Sequence, residues 1–301
     1  MADLHEPTIL VTGSTGQVGF ELLRSLQGLG RIVSPDRQAF DLANFDQMRS
    51  VVRELKPALI VNPAAYTAVD QAETDVDAAM RMNGEAPGVL AEEARRVGAA
   101  LIHFSTDYVF DGAKDGAYEE DDPTGPLNVY GKSKLAGEQA IEQVGGNYFV
   151  FRTSWVYGTR GRNFLRTMLR LAAERSELSI VADQVGAPTW SGTIAALTAH
   201  IATQALGEHR ADDGWWSERS GVYHLTASGM TSWAGFAEAI FETAALPSRP
   251  TVKPITSNEY PTPARRPANS RLSNEKLAST FGIQAPDWRE ALKLCVAVLP
   301  V

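Results

Sequence analysis

Tyr130-Gly131-Lys132-Ser133-Lys134 sets a phenol and an ammonium at positions i and i+4, on one face of a helix that begins there. A phenol with its ordinary pKa of about 10 is a poor proton donor or acceptor at neutral pH. A cation beside it that lowers this by about 3 units supplies roughly 4 kcal/mol towards a usable acid/base. Such pairs also arise on solvated helix faces, so the pairing needs a neighbour to become a site. Phe104-Ser105-Thr106-Asp107 supplies one: it closes an apolar run and puts a hydroxyl at the carboxyl edge of a strand, where open α/β sheets bind ligands. Thr106 and Tyr130 could there share one carbonyl oxygen, the arrangement needed to protonate a developing alkoxide.

A second constellation lies near the start. Thr12-Gly13-Ser14-Thr15-Gly16-Gln17-Val18-Gly19 follows an apolar run and opens a helical pattern, with glycines spaced three and three. Gly13 permits the tight turn, Gly16 lets backbone amides approach a pyrophosphate, and Gly19 lets the helix pack close to the strand. A glycine triplet alone is a flexible turn; between a strand and a helix it points to a dinucleotide. No Gly-Lys-Ser or Gly-Lys-Thr closes the loop, which disfavours a P-loop nucleotidase. Asp36, roughly 20 residues past the glycines and read as the end of the second strand, can accept from an adenosine ribose and favours NAD. The adjacent Arg37 can instead pair with a 2′-phosphate, which leaves NADH and NADPH both open.

These residues punctuate an alternating pattern. Strands are expected at Thr8–Val11, Arg31–Val33, Ala58–Val61, Ala99–Phe104 and Tyr148–Arg152, and helices at Gln17–Gln27, Asn44–Leu55, Asp77–Val97 and Tyr130–Gln143. Such alternation calls for an α/β fold, a doubly wound parallel sheet with helices on both faces. The second half breaks the rhythm. Helices are expected at Phe164–Glu174, Thr193–Leu206, Ser232–Ala244 and Asp287–Leu299, with a Pro/Arg-rich loop from Pro247 to Pro267. Gly221–Thr226 reads as one more strand that can return to the first sheet. The expected division is therefore a dinucleotide-binding domain over residues 1–155, rejoined by about 190–226, and a smaller C-terminal substrate-binding lobe from 156–189 and 227–301.

Length and composition narrow the class. The chain has 301 residues, 44% hydrophobic and 21% charged, enough to bury a real core and far from a disulfide miniature or a disordered tract. Its net charge of −8 repels phosphate polymers and anionic membranes, so neither nucleic acid nor a membrane is an expected partner. The start, Met1-Ala2-Asp3-Leu4-His5-Glu6-Pro7, is acidic where a secretory signal is basic, and no apolar stretch approaches about 20 residues. The single Cys295 sits in an apolar run and cannot form an internal disulfide, which fits a reducing cytoplasm. His5, His103, His200, His209 and His224 show no paired-ligand spacing, so no metal site is expected.

As a set, the glycine turn, Asn62-Pro63-Ala64-Ala65 after the third strand, the hydroxyl-bearing strand end and Tyr-x-x-x-Lys resemble the extended short-chain dehydrogenase/reductase family, and so imply a Rossmann-type fold. Further blocks are similar to that family's reductases of 4-keto dTDP-sugars: Thr15–Gly19, Ala65–Asp70, Ser105–Phe110, Pro126–Glu138, Phe151–Tyr157, Asp183–Thr189 and Pro261–Pro267. They span almost the whole chain, and those of the second half are the informative ones.

The resemblance implies that Gly16, Gln17 and Val18 touch the cofactor pyrophosphate, Asp36 its ribose, Asp41 and Leu42 the adenine side, and Ala65, Tyr66 and Thr67 the nicotinamide half. It implies that Thr106 and Asp107 contact the sugar, that Tyr130 is the catalytic acid with Lys134 its partner, and that Trp155 walls the substrate. Arg265, Arg266 and Arg271 can add a cationic patch for the diphosphate, or form an ordinary basic surface loop. Some members bridge two subunits through magnesium held by carboxylates. Here one such position is Gly192, although Glu21 keeps another, so a homodimer stays open without that bridge. Two rivals remain. One is an epimerase or dehydratase of sugar nucleotides, although Asp107-Tyr108 stands where a dehydratase carries Asp-Glu. The other is a non-catalytic binding subunit of the same fold, like the regulatory subunit of methionine adenosyltransferase, against which Thr106, Tyr130 and Lys134 argue together.

Overall fold

Thr8-Ile9-Leu10-Val11 becomes strand β1 with Ile9, Leu10 and Val11 at 0% exposure, because both of its faces are covered. Ile9 and Val11 point to a layer that contains Leu22 and Leu26, while Leu10 points to the opposite layer with Met48, Val52 and Leu90. The same alternation recurs in the neighbouring strands, with Leu59 and Val61 on one face and Ile60 on the other. A computed structural model describes residues 6–207, 212–246 and 248–299. Met1–His5, His209 and Pro247, all read above, lie outside the described residues.

Helix α1 (Gln17–Ser25) leads to β2 (Arg31–Val33), α2 (Phe45–Leu55) and β3 (Leu59–Asn62). Short α3 (Val69–Ala72) and α4 (Val76–Ala79) precede α5 (Ala86–Val97), β4 (Ala100–Thr106), α6 (Val129–Val144) and β5 (Tyr148–Thr153). Beyond these come β6 (Val156–Tyr157), α7 (Phe164–Glu174), β7 (Glu177–Val181), β8 (Val185–Gly186), β9 (Thr189–Trp190) and α8 (Ser191–Leu206). The chain continues through α9 (Asp213–Arg219), β10 (Gly221–His224), β11 (Thr231–Ser232), α10 (Trp233–Thr243), β12 (Thr251–Ile255), β13 (Asn269–Ser270), α11 (Glu275–Phe281) and α12 (Trp288–Ala297).

The main sheet has the order β10-β5-β4-β3-β1-β2, and every pair in it is parallel. The winding reverses between β1 and β3, which opens a crevice beyond their carboxyl ends. The strand expected at Gly221–Thr226 is β10, in register with β5 from Gly221 opposite Phe149 to His224 opposite Arg152. A separate core gathers α7, α10 and α12 around Tyr157, Phe236 and Trp288.

Three expectations are corrected. The helix read through Asp77–Val97 is interrupted by a π-helical segment, Met80–Glu85, which places Asn83 inward at 0% exposure. The loop from Pro247 to Pro267 holds a strand, β12, whose register against β7 is parallel from Thr251–Glu177 to Ile255–Val181. Asp36 does not end the second strand: β2 stops at Val33, and Asp36 lies in the loop beyond it. No helix among the described residues is long and apolar enough to cross a membrane.

Candidate active site

The glycine turn has the geometry a dinucleotide requires. Gly13 adopts φ +57, and a Cβ there would lie 2.9 Å from Ala64 Cβ, so the turn at β1 presses directly on the segment after β3. A Cβ on Gly19 would come within 2.2 Å of the Gly13 carbonyl oxygen, which explains the close seat of α1 on the turn. Gly16 is the N-cap of α1, no side chain caps the helix, and its first turn holds no acidic residue. Its amino end, with Gln17 and Val18, is therefore open to an anion. Gln17 Oε1 accepts from Asn163 Nδ2 at 2.8 Å, tying the turn to the start of α7.

Across the crevice, Ala65, Tyr66 and Thr67 follow β3. Asn83 clamps Tyr66: its Oδ1 accepts from Tyr66 N at 2.8 Å, and its Nδ2 donates to Tyr66 O at 2.9 Å and to Ser133 Oγ at 3.0 Å. The π-helical segment thereby fastens the post-β3 loop to α6.

Thr106, Asp107, Tyr130 and Lys134 converge at the end of β4. Thr106 Oγ1 donates to Asp107 Oδ1 at 3.1 Å and accepts from Tyr108 N at 3.2 Å. Asn128 caps α6 through Gly131 N at 2.8 Å, and its Nδ2 donates to Arg265 O at 2.8 Å, which locks the start of the helix to the 261–267 loop. Tyr130 follows in the first turn, with its ring edge-on to Tyr108 at 5.7 Å. Burial first, and the Asp107 carboxylate second, push its phenol up to about 12, while a hydrogen bond with Thr106 pulls the other way. Burial likewise raises Asp107 to about 6, against the pull of Ser270 and Thr106.

Lys134 is only 1% exposed, and its Nζ donates to Phe104 O at 2.6 Å and lies 3.2 Å from His103 Nε2. Burial lowers its ammonium to about 8, with Glu138 opposing. Lys134 is not among the groups that displace the Tyr130 phenol, which are Asp107 and Thr106 beside the burial that raises it.

Trp155 takes φ +48, a conformation strained for a bulky residue, and stacks on Trp233 at 3.6 Å with 9° between the rings. A Cβ on Gly186 would fall 2.7 Å from the Trp155 indole, so that glycine makes room for the ring. Of the arginines read as a patch or a surface loop, Arg266 holds Asp70 with two bonds, at 3.1 and 2.9 Å, and Ala264 N joins them at 3.2 Å. Arg265 is exposed, and Arg271 Nε donates to Asn269 Oδ1 at 2.8 Å. In the loop after β2, Asp36 Oδ1 accepts from Gln38 N and Ala39 N at 2.9 and 3.0 Å, while Arg37 is 80% exposed and 4.0 Å from Asp41. Asp41 Oδ1 accepts from Ala43 N at 3.0 Å, and Leu42 is buried beside Phe40 and Met48. At Gly192 a Cβ would lie 2.6 Å from the Trp190 ring, so the residues around that position do not fit a bridging carboxylate.

Sequence reasoning passed over Asn83, Trp233 and the Asn62–His103 pair. Asn62 stood in a quoted motif without a role, and His103 was weighed only as a metal ligand.

Known proteins resemble the chain along almost its full length. A dTDP-4-dehydrorhamnose reductase of Burkholderia thailandensis is 54% identical over 294 residues, covering 96% of this chain and 97% of the relative. Another, of Escherichia coli K12, is 44% identical with 95% of each covered. The crystal structure of the Bacillus anthracis dTDP-4-dehydrorhamnose reductase in complex with NADP superposes with a TM-score of 0.89 at 35% identity, over 97% of this chain and 99% of that one. With the RmlD substrate binding domain model matching residues 7–300, the chain belongs to that family.

Proposed function

We propose that the chain reduces the 4-keto group of dTDP-4-dehydro-L-rhamnose to dTDP-L-rhamnose with NADPH or NADH, in the supply of nucleotide sugars for cell-surface polysaccharide. The observation that carries the reading is the meeting of the Tyr130 phenol and the Thr106 hydroxyl at the end of β4, across the crevice from the glycine turn. The cradle at Gly13, Gly16 and Gly19 fits the dinucleotide, which supplies a hydride to the sugar carbonyl carbon. Tyr130 donates its proton to the oxygen that becomes an alkoxide, and Thr106 hydrogen-bonds that oxygen as charge develops. Lys134 serves the nicotinamide ribose, and Trp155, braced by Trp233, walls the sugar.

Gln17 and Val18 lie at the pyrophosphate, Asp36 or Arg37 at the adenosine ribose, Asp41 and Leu42 at the adenine, Ala65, Tyr66 and Thr67 at the nicotinamide half, and Asp107 at the sugar. Arg265 is the better cation of its loop for the diphosphate, because Arg266 already neutralises Asp70. The same proposal keeps residues 1–155 and about 190–226 as the dinucleotide-binding domain and 156–189 with 227–301 as the substrate lobe. A reducing, cytoplasmic setting agrees with the one buried, unpaired cysteine, Cys295. A homodimer, if formed, would not rely on a carboxylate at Gly192.

The deciding experiment mixes the protein with NADPH or NADH and a panel of 4-keto nucleotide sugars while nicotinamide absorbance is followed. Stoichiometric loss of reduced cofactor with the dTDP-sugar is expected. Interconversion without net consumption would instead mark an epimerase, and binding without turnover a non-catalytic subunit.

A further inference from the structure

His103 lies inside β4, 1% exposed, and none of the steps above uses it. Both of its ring nitrogens are engaged. Nε2 lies 3.2 Å from Lys134 Nζ, and Nδ1 lies 3.0 Å from Asn62 Nδ2. Asn62 Oδ1 accepts from Thr12 Oγ1 at 2.6 Å, and the same threonine oxygen accepts from Ala64 N at 3.3 Å. Four buried side chains thus link the residue before Gly13 to the candidate catalytic helix across three neighbouring strands.

A neutral imidazole has one donor and one acceptor nitrogen. Burial and the adjacent Lys134 hold His103 well below its usual pKa, so the ring is neutral. When the Asn62 NH2 faces Nδ1, the ring proton sits on Nε2, and Lys134 must accept it as a neutral amine while still donating to Phe104 O. When Lys134 is an ammonium it can only donate; Nε2 then accepts and the ring proton moves to Nδ1. Asn62 must now turn its oxygen to the ring and its NH2 to Thr12. The heavy-atom positions suit both arrangements, because amide oxygen and nitrogen share one outline. The charge on Lys134, the imidazole tautomer and the amide orientation therefore change together.

We infer that His103 is a positioning residue that couples the protonation of Lys134, through Asn62 and Thr12, to the glycine turn, so that dinucleotide binding and proton uptake at Lys134 are linked. The inference rests on the proposed role of Lys134 beside the nicotinamide ribose. By linkage, a dinucleotide that favours one state of the network shifts the Lys134 titration, and the shift is reciprocal. The other charged groups around the pair are accounted for. Glu138, one turn further along α6, favours the ammonium but is held by Arg152 of β5. Asp107 and Tyr130 lie at the end of β4 and the start of α6. In α3 Asp70 pairs with Arg266, and just after it Glu73 accepts from Val129 N. In α5, Glu93 pairs with Arg53, and the π-helical segment directs Arg81 to Ala43 O. None of these replaces the imidazole as the hydrogen-bond partner of Nζ.

The test follows Lys134 by NMR in lysine-labelled protein, with Lys134→Met assigning the signal, and measures NADPH affinity against pH by fluorescence titration. In the wild type both should bend near pH 8. His103→Leu keeps the site dry but removes an acceptor for the ammonium, so the Lys134 titration and the affinity bend should both fall by about one unit. His103→Gln reaches the Nε2 position and should bring the titration back to within about half a unit of wild type, whereas His103→Asn reaches only the Nδ1 position and should resemble His103→Leu. A Lys134 titration that does not move in His103→Leu overturns the inference, as does a Gln variant no closer to wild type than the Asn variant. Should the Leu variant not fold, the Gln and Asn pair decides alone. If the wild type reduces no 4-keto sugar nucleotide, the proposed function falls, while the lysine titration still judges the network.

Discussion

The carboxyl ends of β4 and β2 belong to the same parallel sheet, yet they are opposite environments. At β4 the site is dry: Thr106, Asp107 and Lys134 are each no more than 6% exposed, and burial is the leading cause of every displaced pKa there. At β2, an edge strand, Asp36 and Arg37 stand in water, and the Asp36 carboxylate accepts only from amides of its own loop. In the first environment a missing atom leaves a buried partner uncompensated, and the effects are large; in the second, solvent replaces what is lost. On the proposed function, chemistry lies where the sheet is central and covered, and cofactor choice where a residue can be exchanged at small cost.

The comparison is tested most severely at Tyr130. Tyr130→Phe removes the proton donor but keeps the ring against Tyr108, so turnover should fall by about 10²–10⁴ with NADPH affinity nearly unchanged. Stopped-flow reduction and cofactor titration on one preparation check both halves, and near-wild-type turnover would remove Tyr130 from its role.

A stability effect of comparable size is expected one strand over. Arg152 and Glu138 are 5% and 4% exposed and share bonds of 2.7, 3.1 and 3.1 Å. Arg152→Met leaves a buried carboxylate alone and should cost about 3–5 kcal/mol in denaturant unfolding, whereas adding Glu138→Leu should restore much of it. Equal losses in the single and double variants would mean that packing, not charge, sets the cost.

Lys134 gives an effect of opposite sign. Its folded pKa of about 8 lies below the ordinary 10.5, so between these values the unfolded chain holds a proton that the folded chain has released. Wild-type stability should therefore rise from pH 8 towards 10.5, and the full penalty of the buried ammonium applies below pH 8. Lys134→Met removes the penalty. Set against the bond lost at Phe104 O, it should stabilise the protein by on the order of 1–3 kcal/mol at pH 7 while impairing reduction, and its unfolding should lose this pH dependence. A variant less stable than wild type at pH 7 would show that the bond outweighs desolvation.

What the sequence disclosed follows the same division. β1 and α7 agree with expectation to the residue, because apolar runs and helical spacing record burial on known faces. The two-residue strands β6, β8, β9, β11 and β13 left no such record, since each exists only through its partners. The tight turn at Gly13 and the nearness of Thr106 to Tyr130 were legible from spacing. The surroundings of Lys134 were not: a cation four residues from a phenol suggests that they meet, and only the fold shows Nζ drawn instead to Phe104 O and His103. The pairing of Arg266 was out of reach in the same way, because Asp70, its partner, lies 196 residues away.

The smallest effect is expected at the wet end, and there two roles must be separated. The Asp36 carboxylate accepts from two amides of its own loop, so Asp36→Ala removes a turn-forming side chain as well as any contact with the adenosine ribose. If the ribose contact dominates, Asp36→Ala should weaken NADH about fivefold and NADPH less, since the carboxylate also repels a 2′-phosphate and Arg37 remains beside it. Asp36→Asn resolves the ambiguity. Its amide oxygen can still accept from Gln38 N and Ala39 N, but the charge is gone. On the ribose reading it should tighten NADPH and loosen NADH; on the turn reading it should leave both as in wild type, with Asp36→Ala weakening both equally. Fluorescence titration of the two cofactors against the three proteins distinguishes these patterns, and the second would reassign Asp36 from cofactor choice to holding its loop.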